Sequence, residues 1–254
     1  MKDFIFDLDG TIIKNGQPLS GEMLLALENI SRHHNIVFAS ARPVRDMLPL
    51  LPESLHHHVM IGCNGSMAWK SGECLFSQNF SGHELSGLLE LLVQQQVPYL
   101  LDGNWNYSVS AKSHPFHDYI RSLTPCETHQ QSVVDEGVTK ILVLDNNFQE
   151  TASRFLLEQG SHSIIYHHRN EDIFDITPAS NNKYAALQKL GIAVDNAWVF
   201  GNDNNDFTML NHAGYSVFLG APVLFEHADH YCDIDELPCF IDSLSAKQQS
   251  LAVS

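Results

Sequence analysis

No stretch of this 254-residue chain approaches eighteen consecutive apolar residues, which excludes a membrane-spanning helix on pattern. Cysteine is scarce and scattered. Cys63, Cys74, Cys126, Cys232 and Cys239 form an odd set with no CxxC pair, which argues against a disulfide framework or a zinc ribbon and leaves free thiols as the expectation. Positive charge is also short: 14 Lys and Arg against 30 Asp and Glu give a formal net charge of −16. A field of that sign repels nucleic acid and anionic membrane, so neither is expected as a partner. The opening Met1-Lys2-Asp3-Phe4-Ile5-Phe6-Asp7 carries no secretory signal pattern, and the expected location is cytoplasmic. Among the 15 histidines there is no HExxH or other zinc spacing. Adjacent histidines such as His56-His57-His58, His33-His34 and His167-His168 cannot face one site on a regular element, and they are expected to be solvated loop and surface residues.

What is present is a sizeable apolar fraction, 44%, in a length that favours two domains over one. Residues 3–8 read as a short buried strand, and 20–34 as a helix with Leu24, Leu25, Leu27 and Ile30 at helical spacing behind a Ser20 N-cap. Ile36-Val37-Phe38-Ala39 reads as another buried strand. Strand, helix, strand implies a parallel sheet covered by helices. The pattern returns late, with helices at 182–190 and 206–212 and strands at 197–201 and 215–219. Between these halves the signals differ. Ser81-Gly82-His83-Glu84 is a capping box opening a helix through Leu85, Leu88, Leu89 and Leu92. A hairpin over 98–110 turns at Asp102-Gly103-Asn104, followed by strands at 138–144, 164–167 and 173–177 and a helix at 149–159. The expected fold is therefore α/β: a doubly wound, Rossmann-like parallel-sheet core, residues 1–72 and 179–254, carrying an inserted α+β domain at 73–178.

The sharpest chemical signal is Asp7-Leu8-Asp9-Gly10-Thr11 directly after the first strand. Ligands in open parallel sheets bind beyond the carboxyl ends of the strands, so this spacing delivers two carboxylates to the expected site. Two acids one residue apart can divide the work of nucleophile and general acid, and Gly10 permits the sharp turn. On spacing alone, a plain Asp-Gly turn at a strand end reads the same way.

Further along come Ser40-Ala41-Arg42 after the second strand, Lys183 opening the helix after the insertion, and Gly201-Asn202-Asp203-Asn204-Asn205-Asp206. In this order the four motifs resemble the haloacid dehalogenase superfamily of phosphohydrolases, in particular its Cof-like members with a large C2-type cap. The resemblance implies a magnesium-dependent phosphatase of small phosphorylated metabolites, sugar phosphates or similar monoesters, acting through an aspartyl-phosphate. It implies Asp7 as nucleophile, Asp9 as general acid and base, and Lys183 as the neutralising cation. Ser40, Arg42, Lys183 and Asn205 are implied as substrate contacts, and Asp7, Asp9, Asn202 and Asp206 as holders of Mg2+. The family usually carries aspartate where Asn202 stands, with Asp203 as an alternative replacement. Asn64-Gly65 resembles an Asn-Gly-Ala that precedes the cap in related proteins, and is expected to serve as a turn rather than a substrate contact. A phosphotransferase or phosphomutase using the same intermediate, or a weakly active regulatory or binding member, are the alternatives. Oligomeric state is not implied.

Overall fold

The computed structural model describes residues 1–168 and 172–251, with side chains to residue 244. Eight strands make the larger sheet: β1 Asp3–Phe6, β2 Asn35–Ala39, β3 Val59–Gly62, β4 Met67–Lys70, β5 Glu73–Ser77 and, after the insertion, β11 Trp198–Gly201, β12 Tyr215–Leu219 and β13 His230–Cys232. Their order is β13-β12-β11-β1-β2-β3-β4-β5, parallel from β13 to β3 and antiparallel beyond. Because side chains alternate along a strand, Phe4 and Phe6 enter one apolar layer with Met23, Leu27 and Ile30 of the helix Gly21–Ser31. Ile5 and Val199 enter the opposite layer with Ala186, Leu187, Met209 and Leu210. Burial on both faces is what a parallel sheet requires. Ser20 caps the first helix by accepting from Met23 N at 3.2 Å. The helix stops at Ser31, short of the expected residue 34, where His33 N and His34 N both turn back to Ile30 O.

Inserted between β5 and β11 is a second, antiparallel sheet: β6 Tyr99–Asp102, β7 Tyr107–Val109, β8 Lys140–Val143, β9 Ile164–His167 and β10 Phe174–Thr177, in the order β7-β6-β8-β10-β9. Period two again sets the chemistry of each face. Tyr99, Leu101, Ile141, Val143, Phe174 and Ile176 pack under the helices Gly82–Gln94 and Gln149–Glu158. The other face carries Leu100, Asp102, Lys140, Leu142 and Asp175, which look onto the first sheet's strand ends.

One boundary differs from the expectation. Glu73–Ser77 belongs to the large sheet, not the insertion, because Ser71 and Gly72 take φ of 51° and 80° and close a two-residue hairpin that pairs Lys70 with Glu73. All five cysteines are free. Among the described residues, no helix is long and apolar enough to cross a membrane.

Two histidines depart from the solvated expectation, His58 and His117, both buried. His58 lies edge-on to Phe38, and its Nε2 has no hydrogen-bond partner among the described residues. Burial, with smaller contributions from His57 and Lys70, pushes its pKa from 6.5 down to about 4. The unfolded chain therefore binds a proton that the folded chain refuses, and stability present above pH 6.5 is lost as pH falls through about 4. We expect urea unfolding of His58→Phe to lose less stability over this range than the parent, by on the order of 2 kcal/mol. Identical pH slopes would refute the assignment.

Candidate active site

The first strand hands its last direction to Asp7, whose N–H donates to Phe200 O at 3.0 Å, continuing the ladder one residue beyond Phe6. The chain then turns sharply. Thr11, Ile12 and Ile13 all donate backbone N–H groups to Leu8 O, at 3.1, 2.9 and 2.8 Å. Gly10 makes this possible: its φ is +81°, and a Cβ there would run into the Asn202 amide. Asp7 and Asp9 thus leave the strand end in different settings. Asp7 is 5% exposed, whereas the Asp9 side chain is 43% exposed.

Both oxygens of Asp7 are held. Lys183 Nζ donates to Oδ1 at 2.6 Å, and Thr11 Oγ1 donates to Oδ2 at 2.9 Å. Lys183 opens the helix Lys183–Lys189, which Asn182 caps by accepting from Ala185 N at 2.8 Å. The backbone of Asn182 lies so close to Gly65, at φ +101°, that a side chain at position 65 would collide with it. Asn64-Gly65 is thus a turn, as expected, and it also fixes where the lysine helix begins. Burial, then the Asp206 charge, pushes Asp7 up from 3.8 to about 7 against the opposing pull of Lys183. A positive group added beside it would restore its charge at lower pH.

Asp206 stands elsewhere than the metal-contact expectation. Its Oδ1 accepts from Lys183 Nζ at 2.6 Å, and its Oδ2 accepts from the N–H groups of Asn202 and Asp203 at 2.9 and 3.1 Å. It is fully buried behind Asp7, where it positions the lysine and shapes the loop. Asp203 accepts from Asn204 N at 2.8 Å and caps the turn Asn204–Asp206, a task its offset in the loop suits.

Asp7, Asp9, Ser40, Arg42, Asn202 and Asn205 line one cavity of about 780 Å³ between the two sheets, with Lys183 and Asp206 directly beneath. Within that cavity two expected substrate contacts are already engaged. Arg42 grips both oxygens of Asp9, Nε at 2.6 Å and Nη2 at 2.9 Å, while its Nη1 donates to Tyr119 of the insertion at 3.2 Å. Asn205 donates to Asn64 Oδ1 at 2.9 Å, and Asn64 donates onward to Asp175 at 3.1 Å. Ser40 Oγ accepts from Arg42 N at 3.1 Å.

The roof of the cavity was not legible in the sequence. Lys140 donates to Ala41 O at 3.1 Å and lies 3.4 and 3.3 Å from Asp102 and Asp175. Arg45 bridges from the larger sheet's side to Asp46 and Asp102, at 2.7 and 2.8 Å. Leu100, Phe116, Ile120 and Leu142 supply an apolar wall. The available signal was a lysine and two aspartates inside otherwise apolar strands, on the face that alternation turns away from the helices.

Across this site seven carboxylates (Asp7, Asp9, Asp46, Asp102, Asp175, Asp203, Asp206) face four cations (Arg42, Arg45, Lys140, Lys183), a formal excess of three negative charges among the described residues. An anionic substrate needs added positive charge there. The donor set suits a hard cation. The inward atom of the Asn202 amide lies 3.1 Å from Asp7 Oδ2 and 3.0 Å from the Asp9 carbonyl oxygen. Around octahedral magnesium, with bonds of about 2.1 Å, neighbouring oxygens stand ~3.0 Å apart. Among the described residues no three His, Cys, Asp or Glu side chains converge on a metal position, so this set contains a single carboxylate.

Known proteins agree with this architecture. A solved haloacid dehalogenase-like hydrolase from Bacteroides thetaiotaomicron superposes with a TM-score of 0.81 at 18% identity, covering 96% of this chain and 99% of its own. An HMP-PP phosphatase of Klebsiella pneumoniae is 25% identical over 229 residues, 85% of this chain and 82% of that protein. A 5-amino-6-(5-phospho-D-ribitylamino)uracil phosphatase of Escherichia coli is 25% identical over 224 residues, 83% and 82% of the two chains. A model of the haloacid dehalogenase-like hydrolase family matches residues 4–236, nearly the whole length, and to that family of hydrolases this chain belongs.

Proposed function

We propose that the chain is a magnesium-dependent phosphatase of small phosphorylated metabolites, working in the cytoplasm through a phosphorylated Asp7. The observation that carries this reading is the seating of the Asp7 carboxylate at the end of a central strand. Lys183 holds one oxygen and Thr11 the other, at the floor of a cavity roofed by a second sheet. We take residues 1–77 and 179–254 as the catalytic core and 78–178 as the cap. The apolar wall favours a compact leaving group with at least one apolar face, a sugar phosphate or similar monoester. The phosphatase names of the Klebsiella and Escherichia coli relatives support the same class.

In this mechanism an Asp7 oxygen attacks phosphorus and the ester oxygen departs, taking a proton from Asp9; Asp9 then deprotonates the water that cleaves the aspartyl-phosphate. Asp9 must first free an oxygen from Arg42, and Arg42 is tied to Tyr119 of the cap. Ser40 lies within the cavity for a phosphoryl oxygen, and Lys183 keeps Asp7 oriented and offsets the charge that accumulates in the transition state. Asp7, the Asp9 carbonyl and Asn202 would hold magnesium, which when bound supplies charge neutralisation to the phosphoryl group.

The test is phosphate release by purified protein across a panel of phosphorylated metabolites, in magnesium and in EDTA. Release that is equal in both, or absent throughout, overturns the reading. Asp9→Asn is expected to lower kcat by about 10²–10⁴-fold, the range for a lost general acid and base, while leaving magnesium binding intact because the metal contact is the backbone carbonyl. Loss of metal binding with preserved turnover would invert that assignment.

A further inference from the structure

Asn202 presents an amide where a carboxylate would present two equivalent oxygens, and an amide has two chemically different ends. Its inward atom touches Asp7 Oδ2 at 3.1 Å, the Asp9 carbonyl oxygen at 3.0 Å and Thr11 Oγ1 at 3.1 Å, while the other end packs against Gly10. If the inward atom is oxygen, it faces the Asp9 carbonyl oxygen across 3.0 Å and an Asp7 oxygen across 3.1 Å, and the amide brings no hydrogen to either contact. Thr11 has one hydroxyl hydrogen for two acceptors, Asp7 Oδ2 at 2.9 Å and this amide atom at 3.1 Å, and it can supply none to the contact with the Asp9 carbonyl. If the inward atom is nitrogen, all three neighbours accept from it, one hydrogen being shared between two of them. A divalent cation reverses this preference, since it needs oxygens on every side.

Resting on the magnesium reading above, we propose that the Asn202 carboxamide has two working orientations. Without metal its NH2 group turns inward and its hydrogens stand in for the cation between Asp7 and the Asp9 carbonyl; cation binding turns the amide over to present its oxygen. The same three contact positions serve both states, so the loop need not move. An aspartate at this position has no such second state. Its carboxylate would face Asp7 and the Asp9 carbonyl across about 3 Å with nothing positive between them, and the site would depend on the metal for its assembly.

The inference reads out without turnover. In 1H–15N spectra the Asn202 side-chain pair is identified by its disappearance in Asn202→Asp. In EDTA it is expected to exchange with D2O at least about tenfold more slowly than exposed asparagine amides. Magnesium chloride should shift the pair and remove that protection, while the Asn205 pair, bonded to Asn64, stays protected. Thermal unfolding supplies the second arm. Asn202→Asp is expected to melt about 5–10 °C below the parent in EDTA and to recover in magnesium, whereas the parent shifts by less than about 2 °C.

Fast exchange in EDTA, or equal stability of Asn202→Asp and parent in EDTA, overturns the inward NH2. Magnesium that moves the Asp7 and Gly10 backbone signals but leaves the Asn202 pair unchanged overturns the reversal alone. If magnesium alters no resonance of the parent and does not restore Asn202→Asp, the magnesium reading falls, and the reversal with it.

Discussion

Asp7→Asn is expected to lower the rate of phosphate release at least about a thousandfold, the scale on which loss of a covalent nucleophile leaves only binding and electrostatic catalysis. The substitution is nearly isosteric, and an amide at this position can still face Thr11 and Lys183 in some orientation. It also removes a buried charge. Because burial and Asp206 already push Asp7 up to about 7, neutralising it is inexpensive to the fold, and the variant should melt close to the parent. That combination, a folded protein with no turnover, separates a chemical role from a structural one. The parent, quenched in acid during turnover, should carry one phosphoryl group by mass spectrometry and the variant none. Retention of most activity in Asp7→Asn would eliminate the covalent route.

Lys183→Met should lose both activity and stability, unlike Asp7→Asn, which should lose activity alone. Burial alone would lower the lysine's pKa, but Asp206 and Asp7, each 2.6 Å from its ammonium, overcome that and hold it raised. Removing the ammonium leaves two carboxylates facing one another at a place where Lys183 is only 1% exposed. Breaking a buried pair in this way costs about 3–5 kcal/mol, and the loss of a preorganised cation near the transferring group about 10²–10³ in kcat. The two effects can be separated. Adding Asp206→Asn to Lys183→Met removes one of the orphaned charges and should restore part of the melting temperature, without restoring turnover. A Lys183→Met protein as stable as the parent would mean that the buried carboxylates are neutral in the resting site.

How much of this was written locally in the chain varies from residue to residue. Asp7, Asp9 and Gly10 were legible because one strand and one turn, both encoded within a few residues, decide where they point. Lys183 was legible at the start of the helix after the insertion, but the cap that fixes its position, Asn182, falls inside the helix that the sequence pattern predicts, and the role of the lysine came only from the family resemblance. The role of Asp206 was not legible, since its carboxylate is claimed by a lysine 23 positions away and by two backbone amides of its own loop. The cavity roof was hidden for a related reason. Asp102 and Lys140 become neighbours only when β6 and β8 pair in register, across a stretch that itself folds into two helices, Pro115–Leu123 and Gln130–Glu136. Neither helix stood out, nor did β4 and β5, whose pairing depends on the Ser71-Gly72 turn. Local sequence specifies turns, caps and alternation; which carboxylate meets which cation is settled by strand order.

The surplus of acidic groups around the cavity also bears on how a turnover would end. Once water has cleaved the proposed aspartyl-phosphate, the orthophosphate released would be a compact dianion among seven carboxylates and four cations of the described residues, without the leaving group that the apolar cap wall faces. Repulsion that opposes a phosphate on the way in favours its escape on the way out. A chamber of this polarity would disfavour product inhibition, and under the proposed magnesium dependence it would couple each departure of phosphate to the cation.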